Sequence, residues 1–207
     1  MKKLVFTLLI LLVFPLVLAA CGGEDEEFPN EIEDTSPLTP ADAELSETYE
    51  RDIKNLDIIL TVQHPEGWED NLFDIFSLTL ADSQQNSTRF ISDDGEAMSE
   101  EPQVFYFVAI EPDRVTDLTT AEEVFEERGD RLWTNDAIFG EPEEWSNDTF
   151  EGIKMTAENE FTQGHLYVLK HEDHFFALAT AAANRDDIEA LAEAMLDTVT
   201  VEFYEEE

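Results

Sequence analysis

Cationic side chains are scarce in this sequence: 11 lysines and arginines face 50 aspartates and glutamates over 207 residues, a formal charge of −39. A surface of that sign repels phosphate backbones, so nucleic acid is excluded as a partner. Cysteine is scarcer still, and the lone Cys21 has no partner for a disulfide framework. Gly-x-Ser-x-Gly, a phosphate-cradling glycine loop and the zinc-protease helix are all missing, which leaves no recognisable catalytic residue and no cofactor motif. Aromatic residues are not scarce. Fifteen Phe, four Tyr and three Trp exceed what a solvated tail carries, so the chain contains a folded unit.

The amino terminus carries an address. Met1-Lys2-Lys3 is a short positive region, and Leu4 to Leu18 is an apolar run interrupted by Pro15, the layout of an export signal. A retained membrane span needs about 20 apolar residues, more than this run supplies before its proline is considered. Leu18-Ala19-Ala20-Cys21 follows, then Gly22-Gly23. This stretch resembles the lipobox of bacterial lipoproteins, in which the cysteine is diacylated and becomes the new first residue. Two acyl chains, at about 0.8 kcal/mol per buried methylene, hold a soluble domain on a membrane. The resemblance implies an extracytoplasmic protein lipid-anchored through Cys21, with membrane lipid as one partner. A plain secretory signal would instead leave Cys21 as an unpaired thiol in an oxidising compartment.

Removing residues 1–20 leaves nine basic and 50 acidic side chains, a net of −41. Residues 21–46 are acidic, contain Pro29, Pro37 and Pro40, and show no apolar period, so they read as a disordered tether. The folded unit is expected over 47–207. Leu56 to Gln63 reads as a strand ending at His64-Pro65-Glu66-Gly67-Trp68, Leu72 to Ala81 as a second, and Ser87 to Ile91 as a weak edge strand. Gln103 to Ile110 is apolar on both faces and reads as a central strand covered on both sides. Thr120-Ala121-Glu122-Glu123 has capping-box spacing and opens a helix running to about Leu132. Phe150 to Ala157, Glu160 to Leu169 and Phe175 to Ala182 follow as an antiparallel meander. Asn184 is expected to cap a last helix striped by Ile188, Leu191, Ala192 and Met195, and Thr198 to Phe203 is the closing strand.

Hairpin-joined strands with two helices predict an α+β fold, an antiparallel sheet with helices on both faces in an α/β/α sandwich. The His64-Pro65-Glu66-Gly67-Trp68 turn, the helix near Thr120, the triple meander and the final helix-strand pair resemble the PsbP family, which shares its fold with the Mog family of Ran-binding proteins. The resemblance covers about residues 47–204. It implies a noncatalytic binding or assembly module with a protein partner in the cell envelope.

Two other functional readings stand beside it: a metal or small-ligand carrier using His171 and His174 or an acidic loop, and a hydrolase with an unrecognised site. His171 and His174, three apart with Glu172 and Asp173 between them, are candidate metal ligands, with His165 nearby. His165 lies four strand residues from that turn, about 13 Å away, which strains a three-histidine site. The plain reading is polar residues in an exposed turn. A hydrolase would have to use an unrecognised site: carboxylate pairs such as Asp93-Asp94 and Glu143-Glu144 abound, but 50 acids make adjacent pairs inevitable and neighbours point to opposite sides of a strand. Asp82 to Glu101 is acidic and Ser-rich but lacks the glycine-centred alternation of a calcium loop. Trp68 reads as a plug at the sheet end, and Trp133 and Trp145 as core or groove residues. The acidity itself reads as solubility and salt tolerance.

Overall fold

A computed structural model describes residues 44–54, 56–70, 77–91, 98, 102–134, 136–182 and 185–204. The expected export signal, Cys21 and the tether to residue 43 lie outside the described residues, as do Asp93, Asp94, Asn184 and residues 72–76, expected to open the second strand. Two antiparallel sheets form. The small one has the order β1-β2-β11, from Leu45–Ile53, Ile58–Pro65 and Thr200–Phe203. The large one runs β3-β4-β5-β10-β9-β8-β6, from Glu69–Asp70, Ser77–Ala81, Gln103–Ala109, His174–Ala182, Gln163–His171, Glu151–Glu158 and Ile138–Phe139, with β7 (Glu143–Ser146) also pairing β8. Among the described residues there are three α-helices: α1 (Gln84–Ile91), α2 (Ala121–Arg128) and α3 (Arg185–Leu196).

The meander β8-β9-β10 forms as expected, and β5 lies inside the large sheet against β10. Buried residues run nearly unbroken along β9 and β10, the signature of strands covered on both faces. On one face Phe105, Phe107, Phe176 and Leu178 pack with Ile188, Leu191 and Met195 of α3 and with Ile53, Leu60 and Val62 of the small sheet. Phe107 is the hub, stacked on Phe176 at 5.5 Å and edge-on to Phe150 at 5.8 Å. On the other face Val104, Met155, Val168 and Ala179 meet Phe90 of α1, Ala121 and Val124 of α2, and Trp133. The antiparallel sheet with helices on both faces is therefore present. One of those faces is shared between α3 and a second sheet, because the closing strand β11 pairs β2 rather than joining the meander.

Three segments differ from expectation. β1 begins at Leu45, inside the stretch 21–46 read as tether, where no strand was expected. Ser87 to Ile91 lies in α1, not in an edge strand. Ser83 starts the helix: its hydroxyl accepts from the Asn86 amide at 3.3 Å, and Asn86 donates to Asp82 at 2.7 Å. The buried set Asn86, Ser87 and Phe90 then follows a helical period that the strand-forming Thr88, Phe90 and Ile91 disguise. The helix opened by Thr120 has its capping box, with Thr120 Oγ1 accepting from the Glu123 amide and Glu123 accepting from the Thr120 amide. It stops at Arg128, four residues short of Leu132, and passes into a 3-10 turn over Gly129–Arg131. At Gly67, φ is +82°, which explains the glycine in the turn after β2.

Candidate functional site

Three of the chain's six arginines meet at one place. Arg114 ends a 3-10 turn over Pro112–Arg114, Arg128 is the last residue of α2, and Arg131 ends the turn that follows it. They flank a cavity of about 250 Å³ at the end of β5, walled by Tyr106, Val108, Ile110, Leu132 and, from the β1-β2 connection, Leu56. The walls are mostly apolar and the cations sit together. Arg114 is paired with Glu111 three residues earlier. Arg128 Nη2 donates to the Arg114 carbonyl at 3.2 Å, tying the two turns together. Its Nε is buried with no hydrogen-bond acceptor. An orphaned buried donor costs about 1–3 kcal/mol, a cost the fold carries in placing this guanidinium beside the cavity. Helix-dipole compensation accounts for a cation in the last turn of α2, but Arg114 belongs to a different segment and is not explained that way.

A second polar cluster lies on the opposite face of the large sheet, under α3. Lys154 on β8 donates to Glu189 at 2.6 Å and to Glu193 at 3.0 Å. These carboxylates are four apart on α3 and so share one side of the helix. Burial pulls the Lys154 ammonium down, but the hydrogen bonds and charges of Glu189 and Glu193 outweigh it and hold it above the ordinary lysine value. Trp145 Nε1 also donates to Glu193 at 3.0 Å and sets its ring edge-on to Tyr167 at 5.5 Å. Burial and the two glutamates push the Tyr167 hydroxyl well above its usual range. His165 is buried, with Nε2 3.7 Å from Glu189. A cavity of about 450 Å³ opens beside this cluster, edged by Glu141, Glu143 and Asp186. Its one lysine is already held by two carboxylates.

The histidines named from sequence lie elsewhere. His171 and His174 are cross-strand partners at the β9-β10 hairpin. His171 Nδ1 is 2.8 Å from the Thr149 carbonyl. Phe203 of β11 packs against both rings, 6.1 Å from His171 and 4.5 Å from His174, so the pair grips the small sheet. Among the described residues, no group of three or more His, Cys, Asp or Glu is placed to hold a metal ion. Glu143 and Glu144 stand on β7 opposite Lys154 and Ile153, so their side chains leave opposite faces. Trp68 is half-buried against the core beside the small sheet, and Trp133 is buried with Nε1 donating to the Thr180 carbonyl at 3.0 Å. The arginine cavity was missed in the sequence. Its signal was there: half of all the arginines fall within residues 114–131 of a chain that has few cations.

No family model matches the sequence, and no curated protein matches it. Among solved structures, the chain is similar to the Ran-binding protein Mog1p of Saccharomyces cerevisiae, at 12% identity and a TM-score of 0.44 over 74% of this chain and 95% of that one. It is also similar to cyanobacterial PsbP (CyanoP) from Synechocystis sp. PCC 6803, at 14% identity and a TM-score of 0.42 over 75% of this chain and 92% of that one.

Proposed function

We propose that this chain is an extracytoplasmic protein, lipid-anchored through Cys21 and spaced from the membrane by the acidic stretch that precedes β1, whose folded part from Leu45 onward binds a partner without transforming it. The anchor rests on Leu18-Ala19-Ala20-Cys21 behind an apolar run, with the chain's single cysteine at the acylated position. Binding rests on one observation: in a chain of net charge −39, three of six arginines surround one apolar-walled cavity. Guanidinium groups gathered at a concave site favour an anionic group, since their planar forks match carboxylate and phosphate oxygens. The rest of the surface, being acidic, keeps anions from binding indiscriminately.

Two measurements test the two halves. Metabolic labelling with a fatty-acid probe should mark the wild-type protein and not Cys21→Ser; equal labelling of both removes the anchor. Titration with inorganic phosphate, the plainest anion, should shift the Arg128 and Arg131 side-chain resonances in the wild type and not in Arg128→Gln or Arg131→Gln. Absence of any shift with phosphate and with simple organic carboxylates alike removes the binding site.

A further inference from the structure

The arginine cavity is not shaped for a bare inorganic anion. Its cations lie together, and the remaining wall is Tyr106, Val108, Ile110 and Leu132, with Leu56 closing one side. A hydrated inorganic ion would contact the arginines and leave that wall wet. One of the three cations is already used, because the Glu111 carboxylate pairs with Arg114. That leaves Arg128, whose buried Nε has no acceptor, and the exposed Arg131. A second anionic group on the same ligand would approach Glu111 and be repelled. The volume, about 250 Å³, lies below the 300–1,000 Å³ usual for drug-sized ligands.

We infer that the cavity takes a compact monocarboxylate with an apolar body, a short-chain or single-ring organic acid, its carboxylate held by Arg128 and Arg131 and its body against Tyr106, Val108 and Leu132. The inference rests on the binding reading above and sharpens it. Each half of the ligand answers one half of the lining. The carboxylate pairs with the Arg128 and Arg131 guanidinium groups that line the cavity, and the apolar body takes wall surface from water at about 25 cal/mol per Å². The bond from Arg128 to the Arg114 carbonyl fixes the guanidinium before any ligand arrives, so less side-chain freedom is lost on binding.

Calorimetric titration of the full chain carrying Cys21→Ser, which adds no acyl group to compete for the cavity, separates the outcomes. Hexanoate and phenylacetate should bind at least about tenfold more tightly than acetate, which has the head without the body, and than hexan-1-ol, which has the body without the head. Arg128→Gln and Arg131→Gln should each weaken hexanoate at least fivefold while leaving resonances remote from the cavity unchanged. If acetate or inorganic phosphate binds as tightly as hexanoate, the monocarboxylate assignment falls and the binding module stands. Hexan-1-ol equal to hexanoate would overturn the role of the arginines. Binding by none of the probes, phosphate included, would overturn both readings.

Discussion

Lys154 and Arg128 are two of the few cations in an acidic chain, and the large sheet carries them on opposite faces. Lys154 has its anions built in: Glu189 and Glu193 reach it from α3 at 2.6 and 3.0 Å, and its side chain is only 18% exposed. Arg128 is paired with a backbone carbonyl and keeps a buried Nε without an acceptor. The first arrangement fastens a helix to a strand and leaves the lysine little to offer a partner. The second holds a guanidinium in place beside apolar walls and leaves hydrogen-bonding capacity over. In this chain a cation whose carboxylates come from its own fold is structural, and a cation that lacks them marks the candidate site.

The largest expected effect comes from breaking the built-in pair. Lys154→Met should destabilise the protein by about 2 kcal/mol, between the values for exposed and fully buried pairs, because two glutamates are left facing each other under α3. Adding Glu189→Gln and Glu193→Gln should restore most of the loss, since removing all the charges removes the repulsion. Urea denaturation of the single and triple variants measures both. The pH dependence has a definite sign. The folded ammonium titrates above its unfolded value of 10.5, so the stability it confers is complete below about pH 10.5 and is lost as pH rises through the folded value.

A smaller effect of the same kind is expected where the two sheets meet. The Tyr49 hydroxyl on β1 donates to Asp70 on β3, with Arg51 3.9 Å from the same carboxylate. Burial first, then the hydrogen bond and charge of Asp70, push the phenol up to about 12. Its contribution is therefore complete below pH 10 and declines from pH 10 to 12. Tyr49→Phe should cost about 1.5 kcal/mol at neutral pH and abolish that alkaline decline; an unchanged decline would assign it to another group.

What was legible in the sequence divides along the same line. Local devices were readable: the Thr120 capping box, the His64-to-Trp68 turn and the apolar runs of the meander are each written in a handful of neighbouring residues. Pairing across the chain was not. Nothing in Thr200–Phe203 says that β11 pairs β2 instead of extending the large sheet, because both options bury the same alternate side chains. α1 was misread for a related reason. Its Thr88, Phe90 and Ile91 favour strands intrinsically, and the Ser83 and Asp82 bonds to Asn86, with the contacts of Phe90 to Trp133 and Tyr106 at 6.0 and 6.1 Å, favour the helix. Both charged clusters needed the fold as well. The four-residue spacing of Glu189 and Glu193 was readable, but their meeting with Lys154 was not. The arginine cavity draws on two turns, a helix end, β5 and a distant hairpin.

Thr120 links local code to site, because the helix it caps ends at Arg128. Thr120→Ala should cost about 1 kcal/mol by exposing the first amides of α2. If α2 positions the guanidinium, the same variant should also broaden the Arg128 side-chain resonance. A sharp, unshifted Arg128 signal would mean that the bond to the Arg114 carbonyl alone holds it.

The smallest effect is the most discriminating. Arg131 is exposed, and substitutions at such sites usually change stability by no more than about 0.5 kcal/mol. Removing a positive charge from a chain at −39 adds some self-repulsion, so any change should be a slight loss that shrinks in 1 M salt, where the Debye length falls to about 3 Å. Arg131→Gln should therefore leave the urea midpoint nearly where it was while weakening an anion at the cavity. Lys154→Met should do the reverse, lowering the midpoint with no effect on that anion. If Arg131→Gln instead cost as much stability as Lys154→Met, the arginines would be fastenings like the lysine. The contrast between the two faces would then give no reason to place a ligand beside Arg128.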